Sequence, residues 1–285
     1  MKVFIYPNLQ KTHSYSCTKD VSGILSSLGC EIIMTDSISP ELSRGCVIVD
    51  SIEQAVKACD IIITIGGDGT ILKIASAAAE NNKKLLGVNC GRLGFMASLE
   101  RDDLDKLSNL VNGDYKTESR MMIEALIERK SGLREHVTAL NDIVITHGFN
   151  YNINDFTVLA DGALVSSLRA DGLIFSTPTG ASAYSLSAGG PLIEPTLDCI
   201  EFTQICPHSL FARTMLFSSE KLIEIKYKAK GTIGVSADGG TPIPVTENDR
   251  VYIRKSALRL NLIDICGNNY FKSIGTKLMQ PAKVN

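Results

Sequence analysis

A chain of 285 residues with 44% hydrophobic and 21% charged side chains has the composition of an ordinary globular protein, long enough for two domains or one large one. Its net charge of -2 and pI near 6.1 give no electrostatic case for nucleic acid or an anionic membrane as partner, and no apolar run approaches the length of a membrane span. The eight cysteines are scattered, with no Cys-x-x-Cys pair and no zinc-site spacing, which predicts reduced and mostly buried thiols, no metal-ligating residues and a cytoplasmic protein.

Residues 3–6 predict a first strand. Residues 20–28 then predict a helix, with Val21, Ile24, Leu25 and Leu28 at helical spacing until Gly29 stops it. A second strand over 30–34 and a short helix over 52–58 lead into residues 61–65, where Ile61, Ile62, Ile63, Thr64 and Ile65 are β-branched without alternation. That is the pattern of a strand buried on both faces in a parallel sheet. The strand ends in Gly66, Gly67, Asp68 and Gly69, and Thr70 opens an apolar run (Ile71, Leu72, Ile74, Ala75) that reads as a helix. Three glycines around one acid let the backbone turn tightly and approach a ligand, and the free N–H groups and helix N-terminus beyond favour phosphate. Asp68 would repel a phosphate it touched, so it suits accepting a proton from a hydroxyl, or holding a cation, beside phosphates bound by backbone.

The loop lacks the Gly-Lys-Ser/Thr ending of a Walker A sequence, and Leu72 stands where the Gly-x-Gly-x-x-Gly fingerprint needs glycine. On these residues alone, a plain strand-to-helix turn with a capping aspartate fits equally well. A further strand over 85–88 is closed by a second glycine loop, 89–95. The alternation of strand and helix through residue 111 predicts a doubly wound α/β domain with both loops beyond the carboxyl ends of its strands.

From about residue 115 the texture changes to short strands. Residues 121–128 alternate, 158–160 and 163–165 flank Asp161-Gly162 as a hairpin does, and 222–227, 231–236 and 258–263 continue the series. The second half therefore reads as mainly antiparallel β, with one helix after Thr179. Asn141-Asp142 could read a purine edge and hold ribose hydroxyls, or simply form a turn. Residues 169–191 run from a strand through a hydroxyl-rich turn into small residues that let another backbone or a flat ligand approach. Tyr184 stands where a hydrolase nucleophile elbow around Ser182 would need glycine. Asp238-Gly239 reads as a hairpin turn, and Phe95 and Tyr184, taken singly, as core aromatics.

The loop over 66–70 resembles the signature of the superfamily of NAD kinases, diacylglycerol and sphingoid-base kinases and phosphofructokinases. The order of later motifs narrows this. Leu140-Asn141-Asp142, Asp171-Gly172 followed by Ser176-Thr177-Pro178-Thr179-Gly180 and Ala183-Tyr184, Ser187-Ala188-Gly189-Gly190-Pro191, Cys206-Pro207-His208-Ser209-Leu210 and Ser236-Ala237-Asp238-Gly239 together resemble the NAD kinase family across roughly residues 60 to 240. Lipid kinases share only the first motif. The chain departs from the family pattern at Asp142, where Glu is usual, at Ala170, where Gly is usual, and over Ala181 and Ser182, where Ser/Thr and Thr are usual; Ala181 removes a hydroxyl.

The resemblance implies transfer of the terminal phosphoryl of ATP, or of inorganic polyphosphate, to the 2′-hydroxyl of the adenosine ribose of NAD, giving NADP. It implies Asp68 as general base, a divalent cation (Mg or Mn) carried with ATP, and phosphate contacts from Gly66, Gly67, Gly69 and Thr70. NAD is expected to meet Asp68, Gly69 and Phe95, with Asn141 and Asp142 on the adenosine and Arg169 facing phosphate. Asp171, Thr179, Ser182, Ala183 and Tyr184 are expected around the second nucleoside, and Asp238 near the nicotinamide, while His208 is expected to be structural. The implied architecture is an α/β N-terminal domain over 1–117, rejoined by 268–285, and a β domain over 118–267 that binds NAD. A homodimer or homotetramer in which a neighbour completes the NAD site is also implied. A lipid kinase and a non-catalytic NAD sensor are the rival readings.

Overall fold

The computed structural model describes residues 1–91, 94–147, 153–209, 212–228, 231–267 and 270–278. Arg92, Leu93 and Leu210, which belong to two of the motifs, lie outside the described residues. The chain forms two compact units, Met1–Ser119 with the described part of Leu260–Asn285, and Arg120–Arg259.

The first unit contains β1 (Lys2–Pro7), α1 (Ser14–Ser27), β2 (Glu31–Thr35), β3 (Val47–Val49), α2 (Ile52–Ala58), β4 (Ile61–Gly66), α3 (Asp68–Glu80), β5 (Lys84–Asn89), β6 (Leu99–Glu100) and α4 (Leu107–Asn112). Its strands run parallel in the order β3-β2-β1-β4-β5. All six residues of β4 are buried, as an unalternated β-branched run requires when helices cover both faces of a sheet. Val3, Ile5, Ile63 and Ile65 share one core with Cys17, Val21 and Leu25 of α1. Each fully buried isoleucine contributes roughly 1.5–3 kcal/mol, so this strand is held from both sides and gives its carboxyl end a rigid root.

Strand ends shift from the expected bounds, the strands expected over 121–128 and 258–263 beginning well before, at Lys116 and Arg250, and two helix starts in the first unit move as well. Helix α1 starts at Ser14, because the polar first turn carries Ser14, Cys17 and Thr18 inward. Helix α3 starts at Asp68 with Gly67 as its N-cap, not at Thr70, so the acid belongs to the first helical turn.

The chain continues through β7 (Lys116–Glu128), β8 (Arg134–Ala139), β9 (Asp142–His147), β10 (Asn154–Ala160), β11 (Ala163–Ala170), β12 (Gly172–Ser176), α5 (Tyr184–Ser187), β13 (Cys199–Ile205), β14 (Met215–Ser218), β15 (Ile223–Lys228), β16 (Ile233–Ala237), β17 (Ile243–Val245) and β18 (Arg250–Asp264). In the second unit an antiparallel sheet runs β14-β13-β12-β9-β16-β17, and β10 pairs antiparallel with β11 and β15. Phe175 and Phe202 stack at 5.2 Å within its core. The helix expected after Thr179 is only a 3-10 turn over Gly180–Ser182 and the single turn of α5. Small residues there let the segment lie flat on the sheet instead of propagating a helix. The end of β18 returns to the first unit, where Asn261 and Leu262 pair parallel with β5, and α6 (Tyr270–Leu278) follows.

Candidate active site

In the first unit the glycine loop is built by close approach. A side chain at Gly66 would strike the Thr70 hydroxyl, and one at Gly67 would come within 2.9 Å of the Lys11 Nζ. Cys90 N–H donates to the Gly66 carbonyl at 3.2 Å, which sets the second glycine loop beside the first. The Asp68 carboxylate crosses between them: Oδ2 accepts from the Phe95 N–H at 2.7 Å and Oδ1 from the Met96 N–H at 3.1 Å. Gly94 is what admits it, because a β-carbon there would run into that carboxylate. Phe95 is half-buried, and its ring lies 6.2 Å from that of Tyr270 on α6. Gly66, Gly67, Asp68, Gly69, Thr70 and Phe95 are thus brought together by one strand end, one helix start and the 94–96 segment.

In the second unit the turn between β8 and β9 is clasped from two directions. Asp238, at the tight turn after β16, accepts from the backbone N–H groups of Leu140 at 2.8 Å, Asn141 at 2.7 Å and Asp142 at 3.2 Å. Its φ of 50° is left-handed, so Asp238 is both a hairpin residue and the clasp. From the opposite direction the Thr177 N–H donates to the Asn141 carbonyl at 2.8 Å, and the Thr177 hydroxyl to the Leu140 carbonyl at 2.6 Å. The Ser176 hydroxyl also donates to the Asn141 carbonyl, at 3.1 Å. Gly180 lies directly against the Asn141 backbone. Asn141 is only 7% exposed, and its side-chain Oδ1 has no hydrogen-bond partner. A buried acceptor left open costs about 1–3 kcal/mol, so it marks a place where a donor belongs.

Asp142 is buried beside this clasp. Burial, and then the neighbouring Asp238 carboxylate, push its carboxyl up to about 7. Burial also raises Asp238, against the pull of its three backbone N–H donors. Thr179 is buried, Ser182 and Ala183 are half-buried, and Tyr184 is exposed. All four follow the Ser176 end of β12.

Arg169 and Asp171 do not join this group. Asp142 pairs with Ser176, at one end of β12, while Asp171 precedes Gly172 at the other, a separation of about 17 Å at the usual rise of a strand. The Asp171 side chain makes no hydrogen bond or ion pair with a described residue. Arg169 is exposed, paired with Asp155 at 2.7 Å, and lines a cavity of about 820 Å³ that also holds Arg213, Lys226 and Lys228. His208, exposed, is anchored by its N–H to the Arg169 carbonyl at 2.8 Å.

Four contributors carry little or no signal of their own in the sequence. Ser176 and Thr177 were visible only as part of a hydroxyl-rich turn. Glu201, on β13 opposite Ser176, is fully buried in the same transverse row as Asp142, with Oε2 unpartnered and its carboxyl pushed up to about 7 by burial. One acid between Ile200 and Phe202 in an apolar strand was the available signal. Lys11 carried none, since a lysine after a first strand is ordinary. Among the described residues no three His, Cys, Asp or Glu side chains converge as a metal site.

The family models described as ATP-NAD kinase N-terminal domain and ATP-NAD kinase C-terminal domain match residues 3–115 and 140–265. A protein of Erwinia tasmaniensis named NAD kinase is 36% identical over 256 residues, covering 89% of this chain and 88% of that protein. A Yersinia pestis NAD kinase is also 36% identical, over 89% of this chain and 87% of its own length. Among solved structures, yeast NADH kinase complexed with NADH superposes with a TM-score of 0.86 at 24% identity, over 100% of this chain and 89% of that one. An Archaeoglobus fulgidus NAD kinase in complex with ATP gives 0.76 at 24% identity, over 98% and 99%. At that identity the two structures speak for the fold.

Proposed function

The chain belongs to the ATP-NAD kinase family, and from that premise we propose how its residues carry out the reaction. It is an enzyme that phosphorylates NAD to NADP with ATP as donor. The observation that carries the residue-level reading is the Asp68 carboxylate, fixed by two backbone amides at the start of α3 beside the glycine loop. A neutral 2′-hydroxyl is a poor nucleophile. Asp68 takes its proton as the new O–P bond forms and the bond from the terminal phosphorus to the ADP oxygen breaks, with ADP leaving, and the amides of residues 67–69 offset charge on the transferring phosphoryl. A divalent cation carried with ATP supplies counter-charge for the phosphates, and the protein side chains would reach it through the nucleotide.

The open Oδ1 of Asn141 suits the amino donor of adenine, and Asp142 suits ribose hydroxyls. Thr179, Ser182, Ala183 and Tyr184 follow on the same side of the clasp, Gly69 and Phe95 supply backbone and ring on the first unit, and Asp238 acts through the turn it holds. Asp171 and Arg169, at the far end of β12, support a reading in which a second copy of this chain brings them to the Ser182 to Tyr184 segment. The protein would then be a homodimer or homotetramer, which its mass in solution tests. No described helix is long and apolar enough to cross a membrane.

The test is a coupled assay of purified protein with NAD and Mg²⁺ or Mn²⁺, supplied with ATP or with inorganic polyphosphate, and with NADP read by an NADP-specific dehydrogenase. NADP formed with ATP is the expected result; none from folded protein with any donor would remove the reading. A pH series adds a sharper expectation. Ribose hydroxyls donating to Asp142 favour its ionised form, so NAD affinity should rise about tenfold per unit below pH 7 and level off above it. Asp142→Asn should flatten the profile. Without ligand the sign reverses: a carboxyl raised above its unfolded value of 3.8 stabilises the fold fully below that pH and loses the contribution as pH climbs through about 7.

A further inference from the structure

Strands β1 and β4 flank the point where the strand order of the first unit reverses, β1 leading out to β2 and β3 and β4 to β5. In an open α/β sheet, the loops beyond the carboxyl ends at such a reversal form the crevice for ligand. Here they are residues 8–11 and 66–69. Asn8 N–H donates to the Ile65 carbonyl at 2.9 Å, tying the loop roots together, and Lys11 N–H closes the turn onto the Asn8 carbonyl at 3.1 Å.

The Lys11 side chain reaches over Gly67, with Nζ 2.9 Å from where a β-carbon would sit, at the N-cap of the 13-residue helix α3. A helix dipole repels a cation placed there and attracts an anion. The Asp68 carboxylate oxygens accept from the Phe95 and Met96 N–H groups, and Lys11 forms no ion pair among the described residues. Thr70, one turn in, is 1% exposed, and its Oγ1 has no hydrogen-bond partner. It rests in the space that a side chain at Gly66 would fill. An ammonium over Gly67, a buried hydroxyl without a hydrogen-bond partner against Gly66 and the first amides of a helix are therefore grouped along one short loop, with the Asn89 Oδ1 the neutral acceptor nearby.

We propose that Lys11 binds the terminal phosphates of the phosphoryl donor, with the amides of residues 67–69 and the Thr70 hydroxyl completing the cradle. This deepens the kinase reading and rests on it. A compact ammonium suits a terminal phosphoryl, which carries more charge than the bridging diphosphate of a dinucleotide.

The decisive experiment is calorimetric titration of the full chain with inorganic tripolyphosphate, and separately with NAD, for wild type, Lys11→Met and Lys11→Arg. Loss of one charge-assisted hydrogen bond should weaken tripolyphosphate binding by about 10- to 100-fold in Lys11→Met. Lys11→Arg should restore most of it, and NAD affinity should not move. In turnover, KM for ATP should rise by the same factor while KM for NAD stays. Tripolyphosphate bound equally by Lys11→Met and wild type overturns the proposal, and so does equal weakening for both ligands. If Lys11→Met does not fold, Lys11→Gln is read by the same titration. Wild-type protein that makes no NADP would instead remove the kinase reading, and the tripolyphosphate comparison would still decide the role of Lys11.

Discussion

Asp68→Asn should lower NADP formation by about 10²- to 10⁴-fold, the usual contribution of a positioned base, while NAD still binds. Asparagine keeps the shape of the side chain and loses the ability to take a proton. The structure adds a second consequence. Both carboxylate oxygens accept backbone N–H groups, at 2.7 and 3.1 Å, so the amide must present its NH₂ to one of those donors. That mismatch costs about 1–3 kcal/mol and should loosen the 94–96 segment. A melting curve taken beside the kinetics separates the two effects. Gly94→Ala offers an independent check, because its new methyl would displace the carboxylate without removing the acid. Turnover should fall there too, with Asp68 still present. Wild-type turnover in Asp68→Asn would dispose of the general-base role.

Gly180→Ala should be the most damaging single methyl in the second unit. Its β-carbon would meet the carbonyl carbon, the oxygen and, at 2.6 Å, the Cα of Asn141. All three are backbone, so no rotamer relieves the clash. The Gly180 N–H also donates to the Thr177 hydroxyl at 3.1 Å, and Thr177 in turn bonds the Leu140 and Asn141 carbonyls. Pushing Gly180 away therefore pulls on the turn that presents Asn141 and Asp142. A loss of about 3 kcal/mol is expected, as for severe overpacking, with Tm lower by roughly 5–10 °C. NAD binding should weaken even well below that Tm. Unchanged melting and unchanged NAD affinity would mean that the 177–180 turn does not set Asn141.

Local periodicity reaches far in this chain. The unalternated run of β4 reads directly as a doubly covered parallel strand, and the 52–58 helix has the bounds that its spacing predicts. The Asp161-Gly162 hairpin is equally plain, because both residues adopt the positive φ that such a turn demands. Periodicity fails where small residues carry no face. Alanine, serine and glycine over 180–190 are compatible with a helix by spacing, but tertiary contact with the sheet leaves only two short turns. The start of α3 was misplaced for a related reason: an acid and a glycine contribute nothing to an apolar stripe, although both lie in the helix.

By itself the sequence determined the chemical inventory and the local elements: a buried strand delivering glycines and one acid, a β-rich second half, and motifs whose order marks a family. Such features depend on neighbours within a few residues. What only the tertiary structure decided are the encounters across long separations. Asp238 clasps a turn 97 residues away from it, Lys11 comes to stand over Gly67, and Glu201 lines up with Ser176 and Asp142. Those meetings depend on which strands pair and in what register, and a shift of one residue would turn each side chain to the other face. Protonation follows the same logic: Asp142 and Glu201 are ordinary acids as letters, and burial, joined at Asp142 by the neighbouring Asp238 carboxylate, carries both to about 7.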